Sequence, residues 1–298
     1  MKSATVTVIG RPSAGKSTLV NTISGMKVSI TAKTPQTTRK RIKGIYTDGR
    51  GQLVFVDTPG YHISGKEMNK RLQKETLDSL EDTDIILYVI DGKRKPMEED
   101  GKIAELIRRS GTTSVVVINK MDILEKEEMN EASSFAKREL PESPVLFASA
   151  SLDNGVDEVL IALFEKAPEG EMLYDESAYT DQPLEFRISE IIREKTISTL
   201  KDEMPHAVFV EIADMEYDEE NKKVWVRAFI NVERDGQKGI IVGKGGENIK
   251  RIRKESFKEI KRIFPGSSLE LDLRVKTQKN WRNDQVILDK IFNELGNR

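Results

Sequence analysis

The chain contains no cysteine, which excludes disulfides and thiolate metal sites and suits a reducing compartment. Its first ten residues lack the apolar stretch of a signal peptide. No segment approaches the ~20 apolar residues of a membrane span. A cytoplasmic protein is therefore expected. An excess of one charge sign is missing too: 48 basic residues face 50 acidic ones, for a net charge of -2. The molecule as a whole has no pull toward nucleic acid or anionic lipid, so any such partner must meet a local patch. Low-complexity segments and fixed-period repeats are also absent.

What is present is 298 residues, 37% hydrophobic and 33% charged. That is long enough for two domains of ordinary size with strongly ionised surfaces. Over the first 170 residues, short β-branched runs alternate with longer charged stretches of helical spacing. The runs are VTVIG (6–10), LVFVDTPG (53–60), DIILYVID (84–91), SVVVINKMD (114–122) and PVLFASAS (144–151). Parallel strands joined by helices, a doubly wound α/β domain with a mostly parallel sheet, are expected. Such sheets bind ligands beyond the carboxyl ends of their strands, and four of these five endings carry recognisable chemistry.

Residues 10–17, GRPSAGKS, fit G-x-x-x-x-G-K-[ST] between a strand and a helix. Backbone N–H groups around Gly10, Ser13, Ala14 and Gly15 are expected to cradle phosphates. Lys16 would reach the β and γ oxygens, Ser17 would ligate Mg²⁺, and Thr18 continues the site into the helix. In DTPG (57–60), Asp57 would hold the magnesium and the Gly60 N–H would meet the γ-phosphate. A P-loop alone leaves ATP open; NKMD (119–122) favours guanine. Asp122 can accept hydrogen bonds from the N1–H and exocyclic amine, donors that adenine does not present in that arrangement. Asn119 would face the purine N7 and tie this loop to the P-loop, and the stem of Lys120 would cover one face of the base. Ser149 and Ala150, in SAS (149–151), are expected near the guanine oxygen.

Between these motifs, KTPQTTRKR (33–41) offers Thr37 or Thr38 as a hydroxyl ligand for Mg²⁺. Lys16, Thr38 and Gly60 are the expected catalytic contributors. The position after the DTPG glycine is Tyr61 rather than a water-orienting glutamine, so slow intrinsic hydrolysis of GTP to GDP and phosphate is expected. His62 is adjacent but is not assigned as a base, and Arg11 is read as solvent-facing.

From Ala167 the acidic, proline-containing stretch PEGEMLYDESAYTDQP breaks the pattern and reads as a linker over 171–183. A second domain, 184–298, follows. Its elements are a helical segment, two alternating strands, a glycine-rich stretch, a helix over 247–263 and a further strand. GKGG (243–246) leads into a helix that makes residues 244–262 hold eight basic side chains against three acidic ones. This looks like a KH domain, in which the glycine loop admits a sugar-phosphate backbone.

Together GRPSAGKS, PQTTR, DTPG, NKMD, SEIIREK and the G-x-x-G loop resemble the Era family of bacterial ribosome-assembly GTPases over nearly the whole chain. The resemblance implies a P-loop GTPase domain over 1–170 followed by an α+β type II KH domain. It implies GTP/GDP and Mg²⁺ as ligands. It also implies binding to the 3′ region of 16S ribosomal RNA during assembly of the 30S subunit, with Gly243, Lys244, Gly245, Gly246, Lys250 and Arg251 at the RNA. A monomer is expected, with peripheral association at the cytoplasmic side of the inner membrane as a further family trait. Ser13 replaces an asparagine that in related GTPases helps hold potassium, so activation by potassium is not expected. Two other readings stay open: an ATP-using P-loop enzyme, and a GTPase whose second domain binds protein with G-x-x-G as a plain turn.

Overall fold

The computed structural model describes residues 1–31, 38–61, 76–200 and 204–293. Thr37 and His62 fall outside them. The chain forms two units, the first reaching Asp181 and the second beginning at Gln182.

In the first unit the strands are β1 (Lys2–Ile9), β2 (Ile42–Asp48), β3 (Gly51–Asp57), β4 (Ile85–Asp91), β5 (Thr113–Asn119) and β6 (Val145–Ala148). Its helices are α1 (Lys16–Ser24), α2 (Glu98–Ser110), α3 (Lys126–Glu139) and α4 (Val156–Lys166). The sheet order is β2-β3-β1-β4-β5-β6. All pairings are parallel except β2 with β3. Alternation explains why both faces are apolar. In β4, Ile85, Leu87 and Val89 join the cluster under α1 and α4, while Ile86, Tyr88 and Ile90 join the one under α2 and α3. The P-loop follows β1, and the other sequence motifs end β3, β5 and β6, on the same edge of the sheet.

Two features differ from the sequence reading. The antiparallel edge strand β2 has no continuous apolar run, because Lys43, Tyr46, Thr47 and Asp48 remain partly exposed. The segment expected as a linker is fastened to this edge as far as Asp181. Gln52 Oε1 accepts the N–H groups of Leu173 and Tyr174 at 2.9 Å each. The Ile45 N–H donates to Tyr179 O at 2.9 Å, and Thr180 Oγ1 donates to Lys43 O at 2.8 Å.

In the second unit the order is α5 (Leu184–Ile197), β7 (Phe209–Asp218), β8 (Lys223–Val232), α6 (Asp235–Val242), α7 (Glu247–Ile263), β9 (Ser268–Thr277) and α8 (Gln285–Asn293). The sheet is β7-β8-β9, antiparallel then parallel. This α-β-β-α-α-β arrangement is the expected α+β fold. Val224, Val226, Ala228 and Ile230 of β8 pack with Ile188 and Ile192 of α5 and Ile252 and Ile260 of α7. Helix α6 forms despite Gly236 and Gly239, because Gln237 Oε1 accepts the N–H groups of Glu233 and Arg234 at 3.0 and 2.9 Å. The segment around α8, for which the sequence offers no expectation, is anchored by the fully buried Trp281, whose indole N–H donates to Ala207 O at 3.1 Å.

Candidate functional site

The turn from β1 into α1 requires glycine at two points for tertiary reasons. Gly15 has φ +96, and a Cβ there would lie 2.1 Å from Asn119 Nδ2. At Gly10 a Cβ would lie 2.3 Å from the Val89 carbonyl oxygen. Ser13 adopts φ +65, a left-handed conformation that costs a serine energy. Lys16, only 6% exposed, folds its ammonium back onto the carbonyls of Gly10 and Arg11, both at 3.1 Å. Burial lowers its pKa to about 8 against the opposing pull of Asp57. Phosphate oxygens are the ligand that would restore full charge to such a buried ammonium.

Asp57 ends β3 wholly buried. Its Oδ2 accepts Ser17 Oγ at 2.7 Å and Thr38 Oγ1 at 3.4 Å, and the two hydroxyls are 3.0 Å apart. Burial pushes the carboxyl above its usual range, with Lys16 opposing. Its other oxygen, Oδ1, has no hydrogen-bond partner among the described residues. Two hydroxyls and a carboxylate form an all-oxygen donor set, and a buried carboxylate oxygen without a donor fits a hard cation such as Mg²⁺. Thr38 is thus gathered with Ser17 and Asp57.

Gly60 lies against the P-loop, where a Cβ would come 2.6 Å from Pro12 Cα, and the Tyr61 N–H donates to Gly10 O at 3.1 Å. The Tyr61 side chain packs on the apolar cluster of Ile9, Tyr88 and Ile103.

Asn119, 2% exposed, joins three loops. Its Nδ2 donates to Ala14 O at 2.9 Å, and its Oδ1 accepts the Ala150 N–H at 3.0 Å. The Ala150 N–H, expected at a guanine oxygen, is therefore used here to fix Asn119. Asp122 is exposed, and its Oδ1 accepts Ser149 Oγ at 2.5 Å, which aims the carboxylate. Thr22 Oγ1 adds a donor to Ala150 O at 2.7 Å, tying α1 to the same loop. Sequence reasoning passed over Thr22 because a threonine in the last turn of a helix carries no motif.

Arg11 is the clear correction. Read as solvent-facing, it is 6% exposed. Its guanidinium donates to Asp100 Oδ2 at 2.9 Å and Glu99 Oε2 at 3.2 Å, and Asp100 Oδ1 also accepts the Tyr88 hydroxyl at 3.2 Å. The P-loop is thereby bolted to the start of α2. The acids that pair with this cation lie far along the chain, and the Lys95 carbonyl oxygen accepts a further N–H at 3.4 Å, so no local pattern reveals its burial. Arg11→Ala strands Asp100 and should lower unfolding stability by about 3–5 kcal/mol in a denaturant titration. A change within 1 kcal/mol would mean that the pair contributes little.

In the second unit Gly243, Gly245 and Gly246 have φ +73, +61 and +77. At Gly243 the ψ of 170 puts the residue in a region open essentially to glycine alone. The turn is held by Asn248, missed in the sequence, whose Nδ2 donates to Ile240 O at 3.0 Å across the loop. Lys244, Lys250 and Arg251 are all exposed beside it. Glycine backbone flanked by exposed cations suits an approaching phosphodiester chain.

Comparison with known proteins agrees with both halves. Residues 5–120 match the family described as 50S ribosome-binding GTPase, and residues 203–282 match the KH domain family. The chain is 44% identical to GTPase Era of Treponema denticola over 298 residues, covering 98% of this chain and 99% of that protein. It is 42% identical to GTPase Era of Borreliella burgdorferi, covering 98% and 100%. A variant of Aquifex aeolicus Era bound to GDP and aluminium fluoride superposes with a TM-score of 0.92 at 32% identity, over 98% of this chain and 99% of that one. Era in complex with MgGDPNP and nucleotides 1506–1542 of 16S ribosomal RNA gives the same TM-score and identity, over 98% of each chain. With that likeness spanning both domains, the chain belongs to the Era family and is a GTPase.

Proposed function

We propose that this GTPase is a slow switch that binds the 3′ region of 16S ribosomal RNA and assists assembly and maturation of the 30S subunit. Gly10, Ser13, Ala14, Gly15, Lys16, Ser17 and Thr18 cradle the phosphates. Ser17, Thr38 and Asp57 hold Mg²⁺, which when bound supplies charge neutralisation at the β and γ oxygens. Lys16 adds a second positive charge, and the Gly60 N–H reports the γ-phosphate. Asn119, Lys120, Asp122, Ser149 and Ala150 form the base pocket. The observation that carries this reading is Asn119, whose one amide links the phosphate loop, the base loop and the 149–151 turn.

The RNA half rests on the glycine loop with Lys244, Lys250 and Arg251, and is supported by the RNA bound to the similar Era structure. Among the described residues no helix is long and apolar enough to cross a membrane. The cytoplasm is the proposed site of action, and any association with the inner membrane would be peripheral.

Gly243→Asp combined with Gly246→Asp tests the RNA reading. Two carboxylates facing phosphates should weaken binding of single-stranded 16S 3′-end RNA roughly tenfold or more in a fluorescence titration with a GTP analogue present. GDP binding should not change. Retained RNA affinity would favour the alternative in which the second domain docks a protein.

A further inference from the structure

Of the strand ends in the first unit's apolar runs, β4 has no motif assigned to it, yet it closes on Asp91. This carboxylate is 6% exposed. The register of β4 and β5 sets Asp91 beside Asn119, one residue before Lys120. Lys120 Nζ reaches Asp91 Oδ2 at 2.7 Å, while Asp91 Oδ1 accepts the Lys93 N–H at 3.1 Å, so both carboxylate oxygens are engaged.

The backbone around the pair is equally constrained. Lys120 itself has φ +71, which redirects its side chain away from the path of a regular strand end. The Gly92 N–H donates to Asn119 O at 3.1 Å, and a Cβ at Gly92 would lie 2.5 Å from Leu124 Cδ1. The turn after β4 therefore lies flat against the base loop. A side-chain methyl there would require the Leu124 and Ile118 side chains to shift.

We propose that Asp91 is a positioning residue for nucleotide binding: it holds the Lys120 ammonium so that the lysine stem is already laid out for the face of the guanine ring. The proposal rests on the base-pocket reading above. Fixing a long lysine side chain on binding costs rotamer entropy, and a partner that holds it in place beforehand removes much of that cost. Exposed ion pairs typically contribute little, but here the acceptor is buried and rigid while the lysine stays one-third exposed. Stem coverage is indifferent to the groups on the base edge. Asp91 should thus set affinity without setting selectivity, which belongs to Asp122.

The test is a double-mutant cycle on the full chain with Mg²⁺, measuring Kd for GDP and for IDP, which lacks the exocyclic amine. Asp91→Asn keeps an oxygen for the Lys93 N–H and should weaken both nucleotides by about tenfold. In a Lys120→Met background it should have no further effect, and the IDP-to-GDP ratio of Kd values should match wild type throughout. Asp91→Ala should show the same coupling, and thermal melts identify any variant that fails to fold. Unchanged affinity in Asp91→Asn, equal losses with and without Lys120, or a collapsed IDP-to-GDP ratio each overturns the proposal. If Lys120→Ala, which removes the stem, binds GDP normally, the base-pocket reading fails instead.

Discussion

Asp122→Asn is expected to weaken GDP binding roughly 10²- to 10⁴-fold, since two hydrogen bonds to a charged acceptor at about 1.5–3 kcal/mol each are lost or degraded. An asparagine keeps one acceptor, which can still meet the guanine N1–H. Its amide N–H₂ then faces the exocyclic amine, donor against donor. Xanthine carries a carbonyl at that position, so affinity for XDP should rise as affinity for GDP falls. The variant should fold normally, because Asp122 is exposed and the Ser149 hydroxyl can donate equally well to an amide oxygen. Calorimetric Kd values for GDP, XDP and ADP decide the matter. Undiminished GDP affinity would remove guanine recognition from residues 119–122 and reopen the ATP-using alternative.

Gly15→Ala should be nearly as damaging although it adds one methyl group. Its φ of +96 is strained for any side chain, and the new Cβ would sit 2.1 Å from Asn119 Nδ2. Asn119 must move, which breaks its bonds to Ala14 O and the Ala150 N–H. The strain and the lost network together predict a fall in GDP affinity of roughly 10²-fold, with a lowered Tm. Gly25→Ala is the control. Gly25 also has positive φ, at +60, but nothing lies within 4 Å of its Cβ position. It should cost about 1 kcal/mol of stability and leave GDP affinity alone. Equal nucleotide effects at the two glycines would show that backbone strain, not contact with Asn119, explains the loss at Gly15.

Much of the site is legible in sequence because its parts are short and locally encoded. The glycines and Lys16 of 10–17, the Asp57 that ends β3 and the Asn119–Asp122 run each occupy a strand end, and short continuous apolar runs mark those ends without reference to the rest of the chain. The same holds for residues 243–246, where closely spaced glycines precede a helix with a cationic face. The edge strand β2 escaped notice because one side of it stays polar. The extent of the first unit was also hidden, since Gln52 is the residue that captures 173–174, over a hundred positions away.

The candidate phosphate, metal and base groups, and their order along the chain, can be read from the sequence and from the short apolar runs and helical spacing around them. Charge fate cannot. Arg11 reads as solvent-facing and Asp91 carries no motif, yet both are buried, and each is ion-paired with a residue contributed by another element. A charge can leave water only where an opposite charge or a set of hydrogen-bonding groups is held close to it, and those distances are set by how helices and strands pack. The candidate binding loops can be found in the letters, while the partners that hold those loops in place come together only in three dimensions.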